Sequence, residues 1–162
     1  MNEPVPRMAY RSVEPTEADE RLKALLVGHS IQAFETGDVW VLLLHEPDLK
    51  ICFLGMTVPE SSEIQEALKA AVPGMMPVAD PHLVAWSVVL TSVSQRTILD
   101  VTVDLRGAMS LRFEGGLEFT LLSDNDFVDW QWCVTANHPN PYRSKAQIVC
   151  FAEGDLMVDG RL

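Results

Sequence analysis

The residues of this chain that could do chemistry are its four histidines, its three cysteines and an acidic stretch near residue 124. His45–Glu46–Pro47–Asp48 groups side chains that can ligate metals, and Asp124–Asn125–Asp126 is similar to the start of a calcium loop. Such a loop needs glycine at its sixth position and glutamate at its twelfth, where this chain has Asp129 and Thr135. Both segments are also typical of solvated turns between strands. We interpret them as turns and predict no metal site.

The cysteines, serines and glycines form no recognisable catalytic or cofactor-binding pattern. Cys52, Cys133 and Cys150 each lie in an apolar, strand-like run, which favours buried reduced thiols. No GxSxG turn surrounds a serine, and Gly115–Gly116 lies inside a hairpin pattern rather than before a phosphate-binding helix. The sequence therefore predicts no catalytic residue, no cofactor and a protein that is not an enzyme.

The elements that position these residues follow a repeated hydrophobic pattern, over residues 28–55 and again over residues 96–123. Each copy has a glycine, three apolar residues at alternate positions, a polar turn and three more apolar residues. The triplets are Val39, Val41, Leu43 and Leu49, Ile51, Phe53 in the first copy, and Met109, Leu111, Phe113 and Leu117, Phe119, Leu121 in the second. Alternation around a short turn is typical of a β-hairpin with one buried face. The pattern predicts two pseudo-repeated hairpin units.

The remaining elements complete an antiparallel, β-rich α+β fold in one domain, residues 1–162. Helices are predicted at about 16–27 and 61–72 from apolar residues at helical spacing. Further strands are predicted at about 83–93, 127–135 and 146–152. In the 127–135 strand, alternation predicts Trp130 and Trp132 on one face. Prolines in residues 1–15 predict a loosely ordered arm.

Charge and hydropathy limit the function classes. The chain has 23 acidic and 12 basic residues and a formal net charge of −11. Such a charge repels a phosphate backbone, so we expect no nucleic-acid binding, and it attracts a basic partner. The longest unbroken apolar stretch, Val39–Leu44, is too short to span a membrane. The first residues lack the apolar run of a signal peptide, so we expect a cytoplasmic protein without membrane contact.

Acidic and aromatic residues together predict a partner-binding surface. An aromatic ring surrounded by carboxylates combines an apolar contact with electrostatic steering of a basic protein. The alternative interpretation is that the aromatic residues belong to the core and the acids only solubilise the surface. The candidate partner-binding residues are Glu114, Glu118, Asp124, Asp126, Phe127, Asp129 and Trp130.

One segment of the chain resembles a known family. It is followed by an acidic turn and a tryptophan, and it reads Asp104-Leu-Arg-Gly-Ala-Met-Ser-Leu-Arg-Phe-Glu-Gly-Gly-Leu-Glu-Phe-Thr-Leu. It resembles small bacterial immunity-type proteins, which are encoded beside polymorphic or contact-delivered toxins. The resemblance covers about residues 96–135, and residues 28–54 show a weaker similarity to the same pattern. It implies that the protein binds and neutralises a basic toxin or effector by occluding its active surface, and it transfers no catalytic residue.

Two other functions are compatible with the sequence. A self-assembling structural or accessory protein, such as a homodimer, would pair its exposed sheet edges. A small-molecule binder or enzyme would carry a polar pocket between the two half-domains.

Overall fold

The computed structural model describes residues 4–45, 48–60, 62–75 and 81–160. Within these residues it contains three α-helices and ten antiparallel β-strands in two sheets. The predicted β-rich α+β class is therefore confirmed. In chain order the elements are β1 (Tyr10–Ser12), α1 (Pro15–Leu26), β2 (Ile31–Glu35), β3 (Trp40–Leu44), β4 (Lys50–Phe53), α2 (Ser62–Met75), α3 (Pro81–Val93), β5 (Ile98–Val103), β6 (Met109–Phe113), β7 (Glu118–Leu121), β8 (Trp130–Thr135), β9 (Ile148–Phe151) and β10 (Asp155–Asp159).

The two predicted hairpin units are both three-stranded antiparallel meanders. The first, β2–β3–β4, joins β8, β9, β10 and β1 in a seven-stranded sheet of order β1-β10-β9-β8-β4-β3-β2. The second, β5–β6–β7, is a separate three-stranded sheet. Isolated bridges from Ser30 to Thr97 and from Met56 to Leu121 join the two meanders at their beginnings and ends. One apolar core cluster includes buried residues of both sheets and of helices α1 and α3.

In the first meander, the prediction of one buried face is wrong, because the two predicted triplets lie on opposite faces of the large sheet. Val41 pairs with Cys52 on the outer face of the large sheet, whereas Leu42 pairs with Ile51 on the inner face. The inner triplet of β3 is therefore Trp40, Leu42 and Leu44. Because β3 is apolar on both faces, alternation alone cannot tell which set faces the main core.

The predicted strand at 83–93 is wrong, since these residues belong to helix α3, which starts at Pro81. A proline fits the first turn of a helix, because its missing N–H would have no partner there. Val89, Leu90 and Val93 are fully buried. The hydroxyls of Ser87, Thr91 and Ser92 donate to main-chain oxygens four residues earlier, so they suit a largely apolar helix. Short apolar runs rich in valine do not distinguish helix from strand by periodicity.

The two predicted helices and the predicted N-terminal arm can be compared with the described residues. Helix α1 begins at Pro15 and buries Ala18, Leu22 and Leu26, which agrees with the prediction at 16–27. Helix α2 runs to Met75, three residues past its predicted end at 72. Within the predicted arm, β1 forms an edge strand on β10, and Tyr10 is buried.

The prediction that Trp130 and Trp132 share one face of a strand is also wrong. The register of β8 against β9 shifts between these residues, with Trp130 opposite Phe151 and Trp132 opposite Cys150. Trp132 consequently lies in the main core and Trp130 in the smaller cluster on the outer face of the large sheet. Such an irregularity reverses the alternation of side chains, and it places Gln131 in a buried position.

Candidate functional site: an acidic groove

Three segments that are distant in sequence form a groove with a volume of about 730 Å³. They are the β5–β6 turn at residues 104–108, the β7–β8 loop with the end of β7 at residues 120–128, and the short 3-10 turn Ala152–Gly154 before β10. Each segment contributes acidic side chains to the lining: Asp104 from the first, Asp124 and Asp126 from the second, and Glu153 from the third. The groove is therefore a product of the tertiary fold.

The side chain of Asp104 fixes the β5–β6 turn. Its Oδ1 accepts hydrogen bonds from the main-chain N–H groups of Arg106 at 2.8 Å and Ala108 at 3.0 Å. Aspartate is favoured in turns because its short side chain can satisfy backbone donors in this way. The turn holds Leu105 outward with 93% of its surface exposed.

The β7–β8 loop is fixed by the buried side chain of Gln131. Its amide Oε1 accepts from the N–H of Asn125 at 2.7 Å, and its Nε2 donates to the carbonyl oxygen of Asn125 at 2.9 Å. The side chain of Asn125 in turn accepts from the N–H of Phe127 at 2.8 Å. Phe127 lies at the tip of this loop, 94% exposed, between groove residues Asp126 and Val128.

Hydrogen bonds join the β5–β6 turn to its neighbours. The hydroxyl of Ser123 in the β7–β8 loop donates to the carbonyl oxygen of Arg106 at 2.7 Å. The indole Nε1 of Trp132 donates to the carbonyl oxygen of Gly107 at 2.8 Å. Both exposed apolar side chains, Leu105 and Phe127, are thus presented by segments with an ordered backbone. Ordering before binding lowers the entropic cost of association.

The 3-10 turn approaches the β5–β6 turn so closely that only glycine fits at the contact. A Cβ atom on Gly154 would lie 2.2 Å from the carbonyl oxygen of Arg106. One on Gly107 would lie 2.7 Å from the Cα of Gly154. Both glycines also have positive φ angles, a conformation that costs other residues energy. The paired glycines therefore allow Glu153 to join the groove.

The electrostatic character of the groove is acidic. Among the described residues that line it, Arg106 is the only basic one, against the carboxylates of Asp104, Asp124, Asp126 and Glu153. No described group forms a hydrogen bond or ion pair with the Arg106 guanidinium. Clefts lined by one sign of charge focus the field and raise the local concentration of oppositely charged partners.

The structure distributes the predicted partner-binding residues over three places. Asp124, Asp126 and Phe127 belong to the groove region. Glu114 and Glu118 are exposed on the β6–β7 hairpin, and Glu118 borders a separate, small depression of about 80 Å³. Three groove residues are not among those predicted from the sequence: Leu105, Arg106 and Glu153. A leucine inside a polar turn, as at Leu105, does indicate an exposed apolar residue.

The other two predicted residues, Trp130 and Asp129, do not line the groove. Trp130 is only 5% exposed and packs in the outer cluster, so it is not available to a partner in the folded protein. Asp129 already has internal partners, because its carboxylate accepts from Arg7 at 3.3 Å and from the hydroxyl of Tyr142. Arg7 also pairs with Asp155 and lies 4.7 Å from the ring centroid of Phe151. Asp129 therefore helps to attach the N-terminal segment to the sheet.

The thiols lie far from solvent. Cys52, Cys133 and Cys150 are free and fully buried. The interaction of Cys133 with Cys52, which face each other across β4 and β8, and burial raise the pKa of the Cys133 thiol well above its usual value. Burial raises the pKa of Cys150 to about 12. Because thiolates are the nucleophilic form, Cys133 and Cys150 are poorly suited to thiol chemistry in the folded state.

Metal binding receives no positive support from the described residues. Their histidines, cysteines, aspartates and glutamates form no group of three or more that could hold a metal ion. His45 and Asp48 are exposed, and the two residues between them lie outside the described part of the chain. The sequence Asp124–Asn125–Asp126 forms part of the loop fixed by Gln131.

No helix among the described residues has both the length and the apolar character needed to cross a bilayer. Comparison with known proteins found no matching family model, no matching curated protein and no matching solved structure.

Proposed function

We propose that this protein is an acidic cytoplasmic binding protein that holds a basic protein at the groove and neutralises it, as the immunity-type resemblance implies. The observation that carries the proposal is the pair of almost fully exposed apolar side chains, Leu105 and Phe127, on two ordered segments of one acid-lined groove. Single exposed apolar residues are ordinary on protein surfaces, whereas apolar contacts combined with complementary charge are typical of interfaces.

The charges and the apolar tips have different roles in this proposal. Asp104, Asp124, Asp126 and Glu153 attract the basic partner and orient it, which mainly raises the association rate. Leu105 and Phe127 lose their contact with water on binding and slow dissociation. Occlusion of the partner's active surface by the bound groove accounts for neutralisation.

The test is affinity capture from native lysate at low salt with tagged protein, followed by salt titration and by measurement of binding rates with the recovered protein. We expect a basic protein in stoichiometric amount, released as the salt concentration rises. D124K/D126K should lower the association rate by about tenfold or more at low salt, and L105S/F127S should raise the dissociation rate by a similar factor.

Control variants make the same types of substitution, acid to lysine and apolar to serine, at exposed positions outside the groove. E20K/E35K changes two exposed carboxylates on α1 and β2, and L99S changes a leucine on β5 that is 49% exposed. Both controls should bind like the wild-type protein. Equal binding by the groove variants and their controls would contradict the proposal. Recovery of the bait alone, with the molar mass of a dimer, would favour the self-assembling alternative.

A further inference from the structure

A second surface depression, separate from the acidic groove, lies at the β8–β9 loop. Its volume is about 700 Å³. It is lined by Pro4, Asn137, His138, Tyr142, Arg143 and Ser144. None of these residues is acidic, in a chain with 23 acidic residues. The lining of this depression therefore lacks the acidic side chains that dominate the charge of the whole chain.

Hydrogen bonds order the backbone around this depression. The N–H of His138 donates to the hydroxyl oxygen of Ser144 at 2.9 Å, and the N–H of Tyr142 donates to the side-chain Oδ1 of Asn140 at 2.8 Å. The buried hydroxyl of Tyr10 donates to the carbonyl oxygen of Pro141 at 2.7 Å, which fixes the loop to the sheet. A ligand at this position would meet a loop whose conformation is already set.

Two side chains of the loop retain unused hydrogen-bond donors. The guanidinium of Arg143 forms no hydrogen bond or ion pair with any described residue. Among the described lysines and arginines, only Arg106 shares this property, since the others contact carboxylates or carbonyl oxygens. In His138, Nδ1 accepts the N–H of Asn140 at 3.0 Å. The neutral imidazole therefore carries its proton on Nε2, which has no described partner.

A third basic group borders the same loop. The ammonium group of Lys50 donates to the carbonyl oxygen of Asn137 at 3.1 Å. Arginine presents a planar array of donors that matches the oxygens of carboxylate and phosphate groups. At physiological ionic strength, charges further away than about 8 Å are largely screened, so the groups close to the depression, which include the Asp129 carboxylate bound by the Tyr142 hydroxyl, affect anion binding more than the net charge does.

We propose that this depression is a binding site for an oxyanion, the phosphate or carboxylate group of a ligand, held by Arg143 and by Nε2–H of His138. The site is independent of the acidic groove. It would give the protein a second class of ligand, or a contact for an acidic group of a larger partner.

The test is an NMR titration of the wild-type protein with inorganic phosphate and, separately, with acetate, at constant ionic strength and about pH 7. We expect saturable shifts of the Arg143 side-chain N–H and the His138 ring signals, with those of His29 unchanged. Saturation by phosphate alone or by acetate alone identifies the preferred anion, and saturation by either supports the site.

Two arginine variants separate a specific site from general ion binding. R143Q should weaken the anion affinity by about tenfold, the effect of a charged hydrogen bond. R106Q removes the guanidinium in the acidic groove that, like that of Arg143, has no partner among the described residues, and it should leave the anion affinity unchanged. Non-saturating shifts, or equal effects of the two substitutions, would overturn the proposal. Failure of the groove variants to affect protein binding would leave this result untouched.

Discussion

The indole nitrogen of Trp132 donates a 2.8 Å hydrogen bond to the carbonyl oxygen of Gly107. Trp132 is a fully buried residue of the seven-stranded sheet, and Gly107 lies in the turn of the three-stranded sheet that presents Leu105. The bond therefore links the orientation of the groove to the core.

Trp132→Phe removes this bond and retains most of the aromatic volume. We expect the free energy of unfolding to fall by about 2–4 kcal/mol, because the change leaves a buried carbonyl unsatisfied and a small void. Chemical denaturation measures the loss. Trp130→Phe is the matched control, since the Trp130 indole nitrogen has no hydrogen-bond partner among the described residues. A similar loss in both variants would contradict a special role for the Trp132 bond.

Gly154→Ala should destabilise the protein by about 3 kcal/mol or more, since the new methyl group meets the Arg106 carbonyl and the φ angle is +76°. Gly116→Ala has a similar φ of +86° but meets nothing within 4 Å, so it should cost only about 1–2 kcal/mol. Urea unfolding compares the two. Equal midpoints would show that the 3-10 turn can move away from the β5–β6 turn.

Gln131→Met should release the β7–β8 loop, because the methionine cannot bond the N–H and carbonyl groups of Asn125. Hydrogen exchange at the Asn125 amide should accelerate by tenfold or more, about the effect of losing one buried hydrogen bond. The amides of β6 report global stability and serve as the internal reference. Unchanged protection at Asn125 would mean that the loop is ordered by other contacts.

The protein contains two tyrosines, and both should ionise only above the usual value of 10.0. Burial raises the pKa of Tyr10, and burial together with the Asp129 carboxylate raises the pKa of Tyr142. The folded state thus retains tyrosine protons that the unfolded state loses, so the contribution of these two groups to stability is fully present below pH 10 and falls as the pH rises above it. Tyrosinate absorbance against pH checks this. Tyr142→Phe leaves Tyr10 alone, and normal titration of that residue in the folded variant would contradict its burial.

The three cysteines should resist a thiol reagent at neutral pH while the protein is folded and react fully in denaturant. Their reaction rate in intermediate denaturant should follow the population of unfolded molecules. Fast modification of one cysteine under native conditions would show a local opening of the sheet at that position.

The β-rich class, the two meanders and the acidic character can all be predicted from the amino-acid pattern. Polar and apolar residues alternate in Met109–Phe113 and Glu118–Leu121, so one face of each strand must be buried. The burial of Leu22 and Leu26 likewise follows from their helical spacing on α1. Asp124, Asp126 and Phe127 could be predicted as one acidic and aromatic cluster, because they are close together in the chain.

Features that depend on packing between distant segments could not be predicted from local patterns. Helix α3 is largely apolar, and β3 is apolar on both faces, so their sequences do not show which side faces the main core. The irregularity at Gln131 moved Trp130 away from the surface, and the Gly107–Gly154 contact brought Glu153 to the groove. The spacing of apolar residues along the chain indicates which side chains are buried. The residues that they contact in the core depend on how distant strands pair.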